Sequence, residues 1–220
     1  MKFDVPFKDI SLKTSKQNVT KDVFDRADYY AYLDQYIESG GTLLDFVESF
    51  TEKAALHISE TVKPVKTIVL CGPSLNGAMG FALARLLKKY GFEVSVALDT
   101  MATEQQSPEY IAEKNAWHGK IYDFTDAKYG SYKLVIDSLY GSDLDFQLSS
   151  KDISVIREIN KSNKSHVISL DVPSGLDVST GNHFGEVIHS DMTICAQAER
   201  TGFHSHIGPE CVGKIIVKEV

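Results

Sequence analysis

Cysteine, proline, tryptophan and basic charge are all scarce in this chain. Three cysteines, Cys71, Cys195 and Cys211, stand in 220 residues. An odd, small number without a C-x-x-C pair excludes a disulfide framework and gives no footing to zinc or dithiol chemistry. They are expected as free, largely buried thiols of a reducing compartment. No run approaches the eighteen apolar residues that a membrane span needs. Met1-Lys2-Phe3-Asp4-Val5-Pro6 offers no apolar signal region, so the expected location is cytoplasmic, with no membrane partner. Lys plus Arg is 23 against 30 Asp plus Glu, a formal net charge of −7. No Lys/Arg stripe exists to drive counterion release, so DNA and RNA are not expected as partners. An anionic ligand stays open, because backbone N–H groups bind phosphate without basic side chains. Repeats, low-complexity tracts and Ser/Pro linkers are also absent. The expectation is one domain over residues 1–220, with residues 1–19 as an extended arm.

What is present is alternation. Thr20 is placed to cap a first helix that ends at Gly40-Gly41, and Thr42 a second, with Leu43, Leu44, Val47, Phe50, Ala54, Ala55 and Ile58 on one side. Then short β-branched runs take turns with helical segments. Strands are predicted at residues 67–71, 93–98, 133–137, 166–171, 191–196 and 213–218. Helices are predicted at 77–90, 107–117 and 150–162. The last strand alternates in polarity and reads as an exposed edge. Strands interleaved with helices give an α/β class, a Rossmann-like three-layer αβα sandwich with a mostly parallel central sheet and two N-terminal helices.

Open α/β sheets bind ligands beyond the carboxyl ends of their strands. Three strand ends carry polar or glycine-rich segments. They are Gly72-Pro73-Ser74-Leu75-Asn76-Gly77-Ala78-Met79-Gly80, Asp137-Ser138-Leu139-Tyr140-Gly141 and Asp171-Val172-Pro173-Ser174-Gly175-Leu176-Asp177. The first has the glycines of a phosphate cradle before a helix N-terminus. It matches neither the dinucleotide fingerprint nor the P-loop, and glycines needed only for packing a tight turn remain the alternative. Either Asp alone would read as a turn cap. The two carboxylates Asp137 and Asp171, with the Asn76 amide and the Ser174 oxygen, together offer hard oxygen ligands suited to K⁺, Mg²⁺ or Ca²⁺.

Taken in order, these segments resemble the NAD(P)H-hydrate epimerase and apolipoprotein A-I binding protein family (the YjeF N-terminal type). Its members carry a G-P-G-N-N-G-G-D-G loop, a D-x-L-[FY]-G segment and a D-x-P-S-G-x-[DN] segment, and the third match is the most specific. The resemblance extends over residues 20–220. It implies an enzyme, an isomerase that exchanges the R and S epimers of hydrated NADH and NADPH, often as a homodimer with one K⁺ per subunit. It implies a cation site at Asn76, Asp137 and Ser174. It implies that Leu75, Asn76, Gly77, Ala78 and Met79 line the nucleotide site with Gly141, Ser142, Asp143, Leu144, Asp145, Phe146, Gln147 and Asp171. Asp171 is the expected catalytic acid/base.

The chain departs from the family pattern at Leu75, at Ala78-Met79, and at Ser142-Asp143-Leu144-Asp145-Phe146. The Lys that members often place near Ala196-Gln197-Ala198 is also missing there. Asp143 and Asp145 would repel a pyrophosphate by about 1 kcal/mol each at surface screening. A catalytically weak or inactive nucleotide-binding module on the same fold is therefore the alternative. His204-Ser205-His206 is expected as polar surface, Trp117 and the Tyr29-Tyr30 pair as packing or dimer surface. Ser174 lacks a nucleophile elbow and is not expected to act as a hydrolase nucleophile.

Overall fold

In the computed structural model, which describes residues 22–101, 106–162 and 165–220, the β-branched runs form the middle layer of an αβα sandwich. In chain order the elements are β1 (Val23–Phe24), α1 (Arg26–Glu38), α2 (Leu43–Thr61), β2 (Lys66–Cys71), α3 (Leu75–Lys89) and β3 (Glu93–Leu98). There follow α4 (Pro108–Ala116), β4 (Lys120–Asp123), β5 (Leu134–Ser138), α5 (Ser150–Lys161), β6 (His166–Leu170), β7 (Met192–Ala196), β8 (Glu199–Arg200), α6 (Gly208–Cys211) and β9 (Lys214–Lys218). The arm expected over 1–19 and the cap expected at Thr20 lie outside the described residues.

Seven strands form one sheet in the order β4-β3-β2-β5-β6-β7-β9, and every neighbouring pair is parallel. The period of two divides each strand between the two faces. Val69, Val96, Ile136, Ile168 and Ile194 pack under Phe46 and Phe50 of α2, Phe81 and Leu87 of α3, and Tyr110 of α4. Ile68, Leu70, Ala97, Val135 and Val167 turn the other way, onto Val155, Ile156 and Ile159 of α5. Burying each large apolar side chain contributes about 1.5–3 kcal/mol, which fixes strand register firmly.

The helices start where short polar side chains can take up orphan amides. Thr42 with Asp45, and Ser149 with Asp152, form reciprocal capping boxes at α2 and α5. The first helix differs from the sequence expectation. Asp25 and Asp28 form its capping box, so it starts at Arg26. The residues just before it are a strand, because Val23 and Phe24 pair with Glu199 and Arg200 far along the chain. The edge strand β4 was not foreseen; Lys120-Ile121-Tyr122 is exposed and carries no buried β-branched run.

β3 lies on one side of β2 and β5 on the other. The order in which strands are added therefore reverses between the parallel neighbours β2 and β5, and the loops leaving their carboxyl ends diverge to open a crevice. Register sets Leu70 opposite Asp137, Cys71 opposite Ser138, and Asp137 opposite Ser169. The three polar strand ends read from the sequence meet at this crevice.

Candidate functional site

The glycine turn after β2 is packed from within. A Cβ at Gly72 would stand 1.7 Å from the Leu139 carbonyl oxygen, and one at Gly77 would stand 1.7 Å from the Gly72 carbonyl oxygen. At Gly80 it would meet Cys71 Sγ and Ser138 Cβ at 2.8 Å. These glycines let α3 press against the ends of β2 and β5, which is the packing reading of the motif. The turn nonetheless starts α3 at Leu75, two residues before the expected start. Its first amides precede any i−4 acceptor and face the crevice end of the helix.

Asn76 is directed inward by this start. Its Nδ2 donates to the Tyr140 carbonyl at 2.8 Å, and its backbone carbonyl accepts from the Ser138 hydroxyl. Among the described residues Asn76 Oδ1, which is buried, has no hydrogen-bond partner. Asp137 is fully buried at the end of β5. Ser174 Oγ donates to Asp137 Oδ1 at 2.5 Å, and Ser169 Oγ and the Ser174 amide donate to Oδ2 at 2.7 and 2.8 Å. Among the described residues Asp137 has no cationic partner. Burial pushes its carboxyl above the usual range, opposed by the serine hydrogen bonds. The structure thus brings Asn76, Asp137 and Ser174 together around Tyr140, whose amide donates to Ser174 Oγ at 2.9 Å.

Asp171 ends β6 with φ +64°, a left-handed conformation uncommon outside glycine. Its amide is held by the Ile194 carbonyl at 2.8 Å. This turn swings the carboxylate onto the loop after β5, where the Ser142 amide donates to Oδ2 at 2.6 Å and the Ser142 hydroxyl to Oδ1 at 3.0 Å. Arg200 donates to the same Oδ1 from Nε at 3.2 Å and Nη2 at 2.9 Å. The guanidinium is fully buried, stacked 4.8 Å from the Tyr29 ring centre, and also bonded to the Ala196 and Ala198 carbonyls. Asp171 holds the Arg200 guanidinium above its ordinary range, against the lowering effect of burial. Arg200 thus supplies a cation close to residues 196–198, but it is buried against Asp171 and lies outside the lining of the adjacent cavity. It was missed because the sequence offered no sign that β8 folds back onto the site through β1.

A cavity of about 300 Å³ opens against these groups. Leu75, Asn76, Met79, Ser142, Asp143 and Asp171, all in the set expected at the nucleotide site, line it. The other members of that set lie elsewhere. Ala78 is in the core under α2, Gly77 is packed on Gly72, and Leu144 is in the core under α5. Gly141 leaves room for Asp171, whose Oδ2 would stand 2.6 Å from a Cβ there. Asp145, Phe146 and Gln147 are exposed outside the lining, with Phe146 set edge-on to Tyr140. Tyr29, Tyr30 and Leu33 of α1 close one wall; Tyr29 serves in core packing, as expected, and both tyrosines also line the cavity. Arg26 ties α1 to this wall by donating to the Ser142 and Leu144 carbonyls.

The remaining candidates have local duties. His204 Nε2 meets Glu199 at 2.7 Å, and His206 Nδ1 meets the Thr180 carbonyl at 2.7 Å. Among the described residues no group of three or more His, Cys, Asp or Glu side chains is placed to hold a metal. The three cysteines are buried and free, and burial raises the Cys195 thiol to about 12 and the Cys211 thiol to about 11. No helix among the described residues is long and apolar enough to cross a membrane.

Comparison with known proteins places this geometry. Residues 42–202 match the family described as YjeF-related protein N-terminus. An NAD(P)H-hydrate epimerase of Leuconostoc citreum is 30% identical over 158 residues, covering 70% of this chain and 68% of that protein. One from Plasmodium vivax is 29% identical over 164 residues, covering 70% and 56%. A bifunctional NAD(P)H-hydrate repair enzyme of Escherichia coli is 31% identical over 154 residues, covering 67% of this chain but 29% of its own length. The crystal structure of the yeast protein ynu0 superposes with a TM-score of 0.69 at 19% identity, covering 90% of this chain and 86% of that one.

Proposed function

The chain belongs to the YjeF-related N-terminal family, and from that membership we propose that it is an NAD(P)H-hydrate epimerase, an isomerase acting on hydrated NADH and NADPH. The observation that carries the reading is Asp171, fixed by Ser142 and Arg200 in the wall of a cavity that also receives the first turn of α3. The names of the relatives favour this reading over a non-catalytic binding module. Leu75 and Met79 alter the lining without filling the cavity.

The hydrated carbon of the substrate carries a hydroxyl and neighbours the ring nitrogen. Loss of the hydroxyl leaves a cation shared with that nitrogen, and water returning to the opposite face gives the other epimer. A carboxylate held beside this carbon stabilises the transient cation and exchanges the proton of the arriving water. Asp171 suits this task because its partners fix its orientation before substrate arrives. Tyr29, Tyr30, Leu33 and Met79 give an apolar wall for the nicotinamide ring. Among the described residues the lining holds no Lys or Arg side chain, so phosphate groups fall to the amides at the start of α3.

The residues fit a K⁺ ion. Among the described residues Asn76 Oδ1 is a buried oxygen with no partner, beside the uncompensated carboxylate of Asp137 and the Ser174 hydroxyl. Bound there, K⁺ would offset the buried charge and hold together the turns that carry Asn76, Tyr140 and Ser174. Family resemblance also supports a homodimer in the cytoplasm. α1 and α2 leave Tyr30, Ile37, Leu44 and Leu56 partly exposed, and light scattering on the purified chain would read the assembly state.

The test is oxygen exchange. Hydrated NADH incubated with the protein in ¹⁸O water should take up one labelled oxygen at the hydrated carbon, read by mass spectrometry. Uptake no faster than in buffer would refute the proposal.

A further inference from the structure

We infer that Asp143 is the proton donor for the departing hydroxyl, working beside Asp171; the inference rests on the epimerase reading. Two consecutive amides of one turn hold the two carboxyl groups. The Gly141 N–H donates to Asp143 Oδ1 at 3.2 Å, and the Ser142 N–H donates to Asp171 Oδ2 at 2.6 Å. Successive Cα atoms are about 3.8 Å apart, so both side chains are anchored to adjacent points of one wall, and both line the cavity.

Their surroundings differ in charge. Asp171 meets the Arg200 guanidinium at 2.9 Å and the Ser142 hydroxyl at 3.0 Å. Every hydrogen directed at it comes from a partner, so its oxygens are already engaged by fixed donors. Asp143 has no ion pair among the described residues. The titratable groups around it are Tyr29, Tyr30 and Asp34 from α1, Glu109 from α4, and Asp171 with Arg200 behind it, together with Arg26, whose guanidinium is engaged by the carbonyls of Ser142 and Leu144 that flank Asp143. Burial pushes the Asp143 carboxyl up, the Ser74 hydroxyl and the Gly141 amide oppose this, and the negative charge of Asp171 adds to the rise. The two carboxyl groups thus stand side by side in opposed surroundings, and Asp143 is the one held toward its protonated form.

In the reaction the Asp143 carboxyl gives its proton to the hydroxyl oxygen. The C–O bond breaks, its electron pair leaves with water, and the nitrogen lone pair forms the C=N bond of the cation. Water returning to the carbon forms a new C–O bond, the C=N pair goes back to nitrogen, and the released proton passes to a carboxylate of the pair. Protons balance over the cycle and no electrons are exchanged with another reagent.

The experiment is the pH dependence of kcat for epimer exchange in the full chain, wild type against Asp143→Asn. Asn keeps an oxygen for the Gly141 amide. Wild type should lose rate as pH rises through the Asp143 pKa. The variant should be slower by about 100-fold, with unchanged KM and without that alkaline limb. Asp143→Ser, a second neutral replacement, should lose the same limb should the Asn variant fail to fold. A variant with wild-type kcat, or one that is slower but keeps the limb, overturns the assignment while leaving the epimerase reading intact. A wild-type chain with no exchange at all overturns both.

Discussion

The Arg200 guanidinium lies 2.9 Å from the Asp171 carboxylate, and both side chains are buried. The pair links the end of β6 to β8, and β8 reaches this position only because it pairs with β1. Phe24 of β1 and Tyr29 of α1 close over the guanidinium at 5.8 and 4.8 Å. The orientation of the central carboxylate is thus a product of tertiary packing from both ends of the chain.

Arg200→Met should therefore damage the fold as well as the site. Removing one partner of a buried ion pair leaves the other charge uncompensated, at a cost of about 3–5 kcal/mol. Urea denaturation should show that loss. Arg200→Lys should recover only part, because an ammonium cannot reproduce the forked contacts to Asp171, Ala196 and Ala198. A wild-type midpoint in Arg200→Met would contradict this account of the pair.

How far the sequence revealed this arrangement follows from what each residue type signals. The buried strands were legible because runs such as Thr67–Cys71 have few alternatives to a parallel sheet interior. Asp137, Asp171, Asn76 and Ser174 were legible as strand-end polar groups, and the structure gathers Asn76, Asp137 and Ser174 around Tyr140. Arg200 and Tyr29 were not legible. They are remote in sequence from Asp171 and sit in no motif. Val23–Phe24 read as helix because local periodicity cannot register a pairing partner near residue 199. The glycine turn shows how one pattern supports two meanings, since Gly72 and Gly77 are needed for packing whatever binds at the α3 start.

Gly72→Ala should destabilise the chain by about 3 kcal/mol, because the new methyl would meet the Leu139 carbonyl at 1.7 Å and backbone cannot move aside cheaply. Gly130→Ala is the control. Its methyl meets only Ser162 Oγ at 3.8 Å and should leave the thermal midpoint nearly unchanged. Equal midpoints for the two variants would count against the packing reading.

K⁺ should raise thermal stability beyond the effect of an equal concentration of choline. At a hundredfold excess over its dissociation constant a ligand specific for the native state adds about 2.7 kcal/mol. Asn76→Ala removes the unpartnered oxygen and should abolish the K⁺-specific increment. Identical melting of wild type in the two salts would remove the cation from the account.

His57 on α2 should make the chain acid-sensitive. Burial, then Lys218 and Lys214, lower its pKa to about 4, and its Nε2 is buried without a partner. The unfolded chain, with a His pKa near 6.5, takes up this proton first. Stability is therefore full above about pH 6.5 and is lost as pH falls toward 4, by about 2 kcal/mol between pH 7 and pH 4.5. His57→Leu should flatten this part of the profile in urea titrations. An unchanged slope would assign the acid sensitivity elsewhere.

The central claim is that Asp171 serves an epimerase centre, and the rate of R-to-S interconversion of purified hydrated NADH tests it most directly. Wild type should exceed the spontaneous rate, and Asp171→Asn should fall by about 100-fold or more while remaining folded by circular dichroism. A folded Asp171→Asn variant that matches wild type, or a wild type no faster than buffer, would contradict the claim.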